Sequence, residues 1–288
     1  MEWTYNTIEH EGFEFQIAKN NKQGPDILII GSAIYYPRVI SKELAENFSI
    51  HCIDHRGFAK RITDSKENVQ EYNLTKIIED IEIIRKLIGL QNFILLGHSG
   101  HGYMALAYAA IYPIYISHLI LVSTGPSHGI HLSENQRYFE TFASKERKEK
   151  HKSLQELFKR NIEENPIDFF RHYCVSQDAL GFYDLRMDSN DFWDGIVTNK
   201  LAFDHLFGET FAEIKVEDYL KQINIQITIV MGKFDFQVAP YYTWDPILNN
   251  FPNVKFKVFQ KSAHLPFYEE PSEFKNQIIN PIIKKVIL

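Results

Sequence analysis

Ser99 sits between Gly97 and Gly100 in the stretch Leu95–Tyr103, LLGHSGHGY. The run Asn92-Phe93-Ile94-Leu95-Leu96 before it reads as a buried strand. The Ala-rich stretch from Tyr103 to Ile111, stopped by Pro113, reads as a helix. A serine on such a strand-to-helix turn is held out of the sheet with its hydroxyl exposed, and small neighbours are needed because the chain passes close to itself. The helix start supplies unpaired N–H groups and a partial positive charge. The Gly100 N–H is therefore a candidate donor to the oxyanion of an acyl-transfer intermediate.

A serine hydroxyl is a weak nucleophile and needs a base within hydrogen-bond reach. Two histidines flank Ser99, but consecutive side chains at a strand end point apart, so His98 is badly placed. Residues two apart do not share a helix face, which disfavours His101. Both read as structural. The C-terminal part offers His264, in Gln260-Lys261-Ser262-Ala263-His264-Leu265-Pro266, after the last expected strand. Asp235, in the loop after the preceding expected strand, could orient its imidazole and stabilise the cation.

These residues need a scaffold that brings strand ends together. Short strands are expected at Thr4–Glu9 and Phe13–Ala18, and apolar runs at Asp26–Gly31, Ser49–Asp54, Ser117–Val122, Ile225–Met231 and Val254–Phe259. Continuous apolar runs suit strands covered on both faces, as in parallel sheets. Leu74, Ile77, Ile78, Ile81, Ile84 and Ile88 share one helical face, with Asn73 and Gly89 as caps. The alternation predicts an α/β fold with a mostly parallel central sheet. Residues 125–218 lack a clear buried strand and read as an inserted helical cap, leaving 1–124 and 219–288 as the core. A final helix is expected from Pro271, perturbed by Pro281. The mixed-sign run Lys145–Lys150 reads as a solvated helix face.

The 288 residues carry a net charge of −6, which argues against a general nucleic-acid binder. Two distant cysteines, Cys52 and Cys174, form no disulfide framework. The N-terminus lacks the basic start and apolar stretch of a signal peptide, and no apolar run has the ~20 residues needed to span a membrane. The expectation is a cytoplasmic protein with no membrane partner. His128 and His131 lack companion ligands, so no metal site is expected.

GHSGHG around Ser99, DHRG at Asp54–Gly57, GKFDFQVAP around Asp235 and SAHLPFYEEP around His264 occur in this order. In these the chain resembles the α/β-hydrolase superfamily over nearly its whole length. The resemblance implies a Ser99–Asp235–His264 triad in the family's chain order, no cofactor, and an α/β-hydrolase core with a helical cap. Its usual His-Gly loop appears here as Gly31-Ser32-Ala33-Ile34, and aligning Gly31 with the histidine makes the Ala33 N–H the second oxyanion donor. His101 stands where a small residue is usual. Its ring either tilts the early helix or points toward the pocket.

The implied activity is that of a serine hydrolase cleaving a small ester or amide through an acyl-enzyme. A serine at this turn argues against epoxide hydrolase and haloalkane dehalogenase chemistry, which need a carboxylate nucleophile. Ten acids against three bases between Gln177 and Asp218 open a second reading, in which cap carboxylates bind a free amine as in proline iminopeptidases. A third is a ligand-binding protein on this fold with little turnover.

Overall fold

The computed structural model describes residues 2–286. Nine strands form one sheet among them: β1 (Trp3–His10), β2 (Phe13–Asn20), β3 (Asp26–Gly31), β4 (Ser49–Asp54), β5 (Lys60–Arg61), β6 (Phe93–His98), β7 (Ile116–Val122), β8 (Ile227–Gly232) and β9 (Val254–Phe259). Their order is β1-β2-β4-β3-β6-β7-β8-β9, with the two-residue β5 beside β2. The first hairpin and its pairing with β4 are antiparallel, and every pair from β4 to β9 is parallel.

The apolar runs are continuous because both faces of the sheet are covered. Along β6, Phe93 and Leu95 pack with Ile77 and Ile81 of helix α1 (Leu74–Leu87), whereas Ile94 and Leu96 pack with Phe274 and Ile278 on the opposite face. Helix α1 is capped as its sequence demands: the Asn73 side chain accepts from the Lys76 N–H, and Gly89 beyond its end has a φ of 75°. The C-terminal helical segment from Pro271 widens into a π-turn at Lys275–Ile279, just before Pro281.

Between β7 and β8 the described chain contains only helices and loops, the longest being helix α3 (Lys145–Glu164), which follows helix α2 (Leu132–Phe142). Arg38 ties this region to the core by donating to the carbonyls of Asp191, Phe192 and Asp194. No helix among the described residues is long and apolar enough to cross a membrane.

The chain leaves β3 toward β4 and leaves β6 toward β7, so the strand order reverses between β3 and β6. A crevice opens at such a point at the carboxyl ends of the strands. The Gly31–Ile34 loop and the Ser99 turn both project there.

Candidate active site

Ser99 follows β6 directly and has a φ of 56°, one of three positive values among the described non-glycine residues. This left-handed geometry costs roughly 1–3 kcal/mol and is held by the surroundings. The Ser99 N–H donates to the Val122 carbonyl at 2.9 Å, while its own carbonyl accepts from the Gly102 N–H and the Thr124 hydroxyl, each at 3.0 Å. The glycine one place late in the motif has its own reason. A Cβ on Gly102 would meet Thr124 Oγ1 at 1.9 Å, and one on Gly97 would meet Gly102 Cα at 2.7 Å. The helix after the turn begins at His101, two residues earlier than expected.

Asp235 and His264 arrive from the loops after β8 and β9. His264 Nδ1 lies 2.8 Å from Asp235 Oδ2, and both side chains are buried. Asp235 Oδ1 accepts from the Gln237 N–H at 2.9 Å, which fixes the carboxylate. The His264 loop is pinned by the acids that follow it. Glu269 accepts from the Ala263 N–H at 2.7 Å, and Glu270 from the Lys261 N–H and the Ser262 hydroxyl. Burial raises the Glu269 carboxyl to about 7. Ser99 and His264 line one cavity of about 210 Å³.

Gly100, at the N-cap of the helix, also lines the cavity. A Cβ there would meet the Phe207 ring at 2.8 Å and the Phe211 ring at 3.0 Å, so these rings press against the turn. Ala33 does not fit the role expected of it. Its N–H donates to Asp54 Oδ1 at 2.8 Å, and it does not line the cavity. Ser32 does. The Gly31 carbonyl accepts from the His55 N–H on the β4 side. In a trans peptide the next N–H points the opposite way, so that of Ser32 is directed toward β6 and Ser99.

His98 is buried, and its Nε2–H donates to the His264 backbone carbonyl at 2.9 Å. The His101 ring lines the cavity. Arg56 anchors a loop, pairing with Asp80 and Glu11.

Residues 29–271 match the sequence profile of a family described as alpha/beta hydrolase fold. The chain belongs to that family. It is 36% identical over 256 residues to the AB hydrolase superfamily protein YclE of Bacillus subtilis (strain 168), covering 88% of this chain and 89% of that one. It is 24% identical over 279 residues to a proline iminopeptidase of Heyndrickxia coagulans, covering 90% and 91%. Among solved structures, the proline iminopeptidase of Mycobacterium smegmatis superposes with a TM-score of 0.72 at 13% identity, covering 98% of each chain.

Within this alpha/beta hydrolase the cavity walls are largely aromatic. Phe58 and Phe170 have ring centroids 5.6 Å apart, Phe170 and Trp193 5.3 Å, and Phe203 stacks on Phe207 at 4.7 Å. Of the ten acids between Gln177 and Asp218, Asp178 alone lines the cavity among the described residues. Its carboxylate accepts from the Ser189 N–H at 2.9 Å and hydroxyl at 2.6 Å, and burial raises it to about 6. Several of the others serve ion pairs facing solvent, such as Asp184 with Arg186 and Asp204 with Lys200. No lysine or arginine among the described residues lines the cavity.

One supporting residue escaped sequence reasoning. Arg147, expected on a solvated face, is buried and donates to the carbonyls of Ala179, Phe182 and Tyr183 at 2.6, 2.6 and 2.8 Å. This segment contains Gly181, whose carbonyl accepts from the His264 N–H at 2.9 Å. A local charge pattern carries no signal that one of the four cations in Lys145–Lys150 will fold inward.

Proposed function

We propose that this alpha/beta hydrolase cleaves a small uncharged ester through an acyl-serine, with Ser99 as nucleophile, His264 as base and Asp235 as its orienting acid. The observation that carries the reading is the 2.8 Å contact of His264 Nδ1 with Asp235, with Ser99 at positive φ in the same cavity. Asp235 accepts from Nδ1–H, which leaves Nε2 as the acceptor facing Ser99. His264 Nε2 takes the Ser99 proton as Oγ attacks the carbonyl carbon. The Gly100 N–H, and the Ser32 N–H in place of that of Ala33, stabilise the oxyanion. Protonated His264 then delivers the proton to the leaving oxygen, the C–O bond breaks, and water activated by the same imidazole hydrolyses the acyl-serine. We assign residues 125–218 as the cap that roofs this chemistry.

Ester is preferred over an amine-bearing peptide because Asp178 is the one cap carboxylate at the cavity and already accepts two hydrogen bonds from Ser189. Resemblance to proline iminopeptidases keeps the amine-binding reading as the alternative. A fluorophosphonate probe should label the wild-type chain and leave Ser99→Ala unlabelled, and Asp235→Asn should lower kcat by up to about 10⁴. Turnover of p-nitrophenyl acetate without turnover of proline p-nitroanilide supports the ester reading, and the reverse supports the alternative. A wild-type chain that stays unlabelled while a control hydrolase reacts overturns both.

A further inference from the structure

Beside Ser99 the cavity holds two imidazoles that the reaction above does not use. His55 and His101 have ring centroids 5.1 Å apart. His55 Nδ1 lies 3.0 Å from the Gly57 N–H, which can only donate, so Nδ1 is an acceptor and the proton of the neutral ring sits on Nε2. For His101 the neighbour is Tyr36, whose hydroxyl is 3.0 Å from His101 Nδ1 and 3.5 Å from His98 Nδ1. Assigning the phenol proton to the shorter of these two contacts places the imidazole proton of His101 on Nε2; the reverse order, with His101 Nδ1–H donating to the phenol oxygen and the phenol proton on His98, would leave Nε2 an acceptor with no N–H signal.

Both rings are neutral. Burial pushes His55 down to about 3, and burial with the neighbouring His55, His98 and His264 holds His101 well below its ordinary value. Burial also keeps the Tyr36 phenol protonated. Two glycines make the arrangement possible. A Cβ on Gly31 would meet the Tyr36 ring at 2.5 Å and His101 Nδ1 at 2.7 Å, and one on Gly57 would meet His55 Cε1 at 2.6 Å. Neither Nε2 has a protein partner among the described residues, and neither is sealed from the cavity. A donor left without a partner at such a site favours a substrate oxygen that pairs with it.

We infer that His55 and His101 form a neutral pair of Nε2–H donors that holds a second oxygen acceptor of the substrate, beside the carbonyl attacked by Ser99. The substrate class follows, resting on the hydrolase reading above: an uncharged ester carrying a further keto or ether oxygen. A carboxylate or phosphate is disfavoured because no lysine or arginine among the described residues lines the cavity. The aromatic walls take the hydrocarbon remainder.

The test uses Ser99→Ala protein, so that binding is read without turnover. Methyl pentanoate is compared with its 3-oxo and 4-oxo counterparts by titration. At least one oxo ester should bind about tenfold more tightly than the plain ester, the equivalent of about 1.4 kcal/mol. That advantage should vanish when Tyr36→Phe and His101→Leu are added. In spectra of ¹⁵N-histidine-labelled Ser99→Ala protein, two Nε2–H signals should move with that oxo ester and stay still with methyl pentanoate. The histidine readout stands even if the triple variant does not fold. Oxo and plain esters binding within about twofold of one another, or two unmoved Nε2–H signals, overturns the inference. An oxo advantage in Ser99→Ala, alongside a wild-type chain that neither hydrolyses these esters nor reacts with a fluorophosphonate, overturns the hydrolase reading and leaves the donor pair standing.

Discussion

The Nε2–H of His98 donates to the backbone carbonyl of His264 at 2.9 Å, across 166 residues of sequence. The two rings lie 4.7 Å apart. The histidine beside Ser99 thus positions the loop that carries the proposed base. His98→Leu removes the donor and leaves the carbonyl unpaired, so it should destabilise the protein by about 1–3 kcal/mol. It should also lower kcat for ester hydrolysis about tenfold while changing KM little, with His98→Gln recovering part of the loss. Steady-state kinetics with thermal unfolding checks this. A His98→Leu enzyme with wild-type kcat would show that the contact does not position His264.

The positive φ of Ser99 ties strain to the proposed nucleophile. Ser99→Ala keeps the strain, whereas Ser99→Gly relieves it, because glycine adopts left-handed angles without a Cβ penalty. Ser99→Gly should therefore be more stable than Ser99→Ala by about 1 kcal/mol in denaturant titration. Equal or lower stability of the glycine variant would contradict the strain argument.

Arg147 supports the site through Gly181. Arg147→Met should strand three carbonyls and cost about 3 kcal/mol, close to the upper range for point substitutions. Esterase activity should fall with it, measured on the folded fraction well below the melting transition. Arg147→Lys should recover only part, since one ammonium cannot reproduce the planar fork. Full activity in Arg147→Met would remove the arginine from any positioning role.

Two buried carboxyls set a pH dependence of stability. Burial raises Asp54 and Glu269 to about 7, from 3.8 and 4.5 in the open chain. Each binds its proton more tightly when folded. Their contribution is therefore greatest below pH 3.8–4.5, declines as pH rises, and is lost above about 7. Over that window Asp54 accounts for at most about 4 kcal/mol and Glu269 for at most about 3 kcal/mol. Glu11 runs the other way: held down to about 2 by Arg56 and Lys76, it contributes above 4.5 and loses that as pH falls toward 2. Unfolding free energy measured from pH 4.5 to 7.5 should fall less steeply in Glu269→Gln than in the wild type. An unchanged slope would mean that Glu269 is ionised in the folded protein throughout.

Much of this was legible in the sequence, and for local reasons. Ile77, Ile81 and Ile84 mark a helix face because side chains recur every 3.6 residues, and the unbroken run Asp26–Gly31 marks a strand covered on both sides. Ser99, Asp235 and His264 could be nominated because each follows such a run, and strand ends in a parallel sheet share one edge. Tertiary structure alone decided which polar atoms meet. The Ala33 N–H turned to Asp54, Arg147 turned inward, and Asp178 alone of the ten acids between Gln177 and Asp218 reached the cavity. The two imidazoles flanking the motif's serine were also separated there, His98 to a backbone carbonyl and His101 to Tyr36. Periodicity is a property of neighbours along the chain. A hydrogen-bond partner is a property of neighbours in space, and burial obliges each polar group to find one wherever the fold provides it.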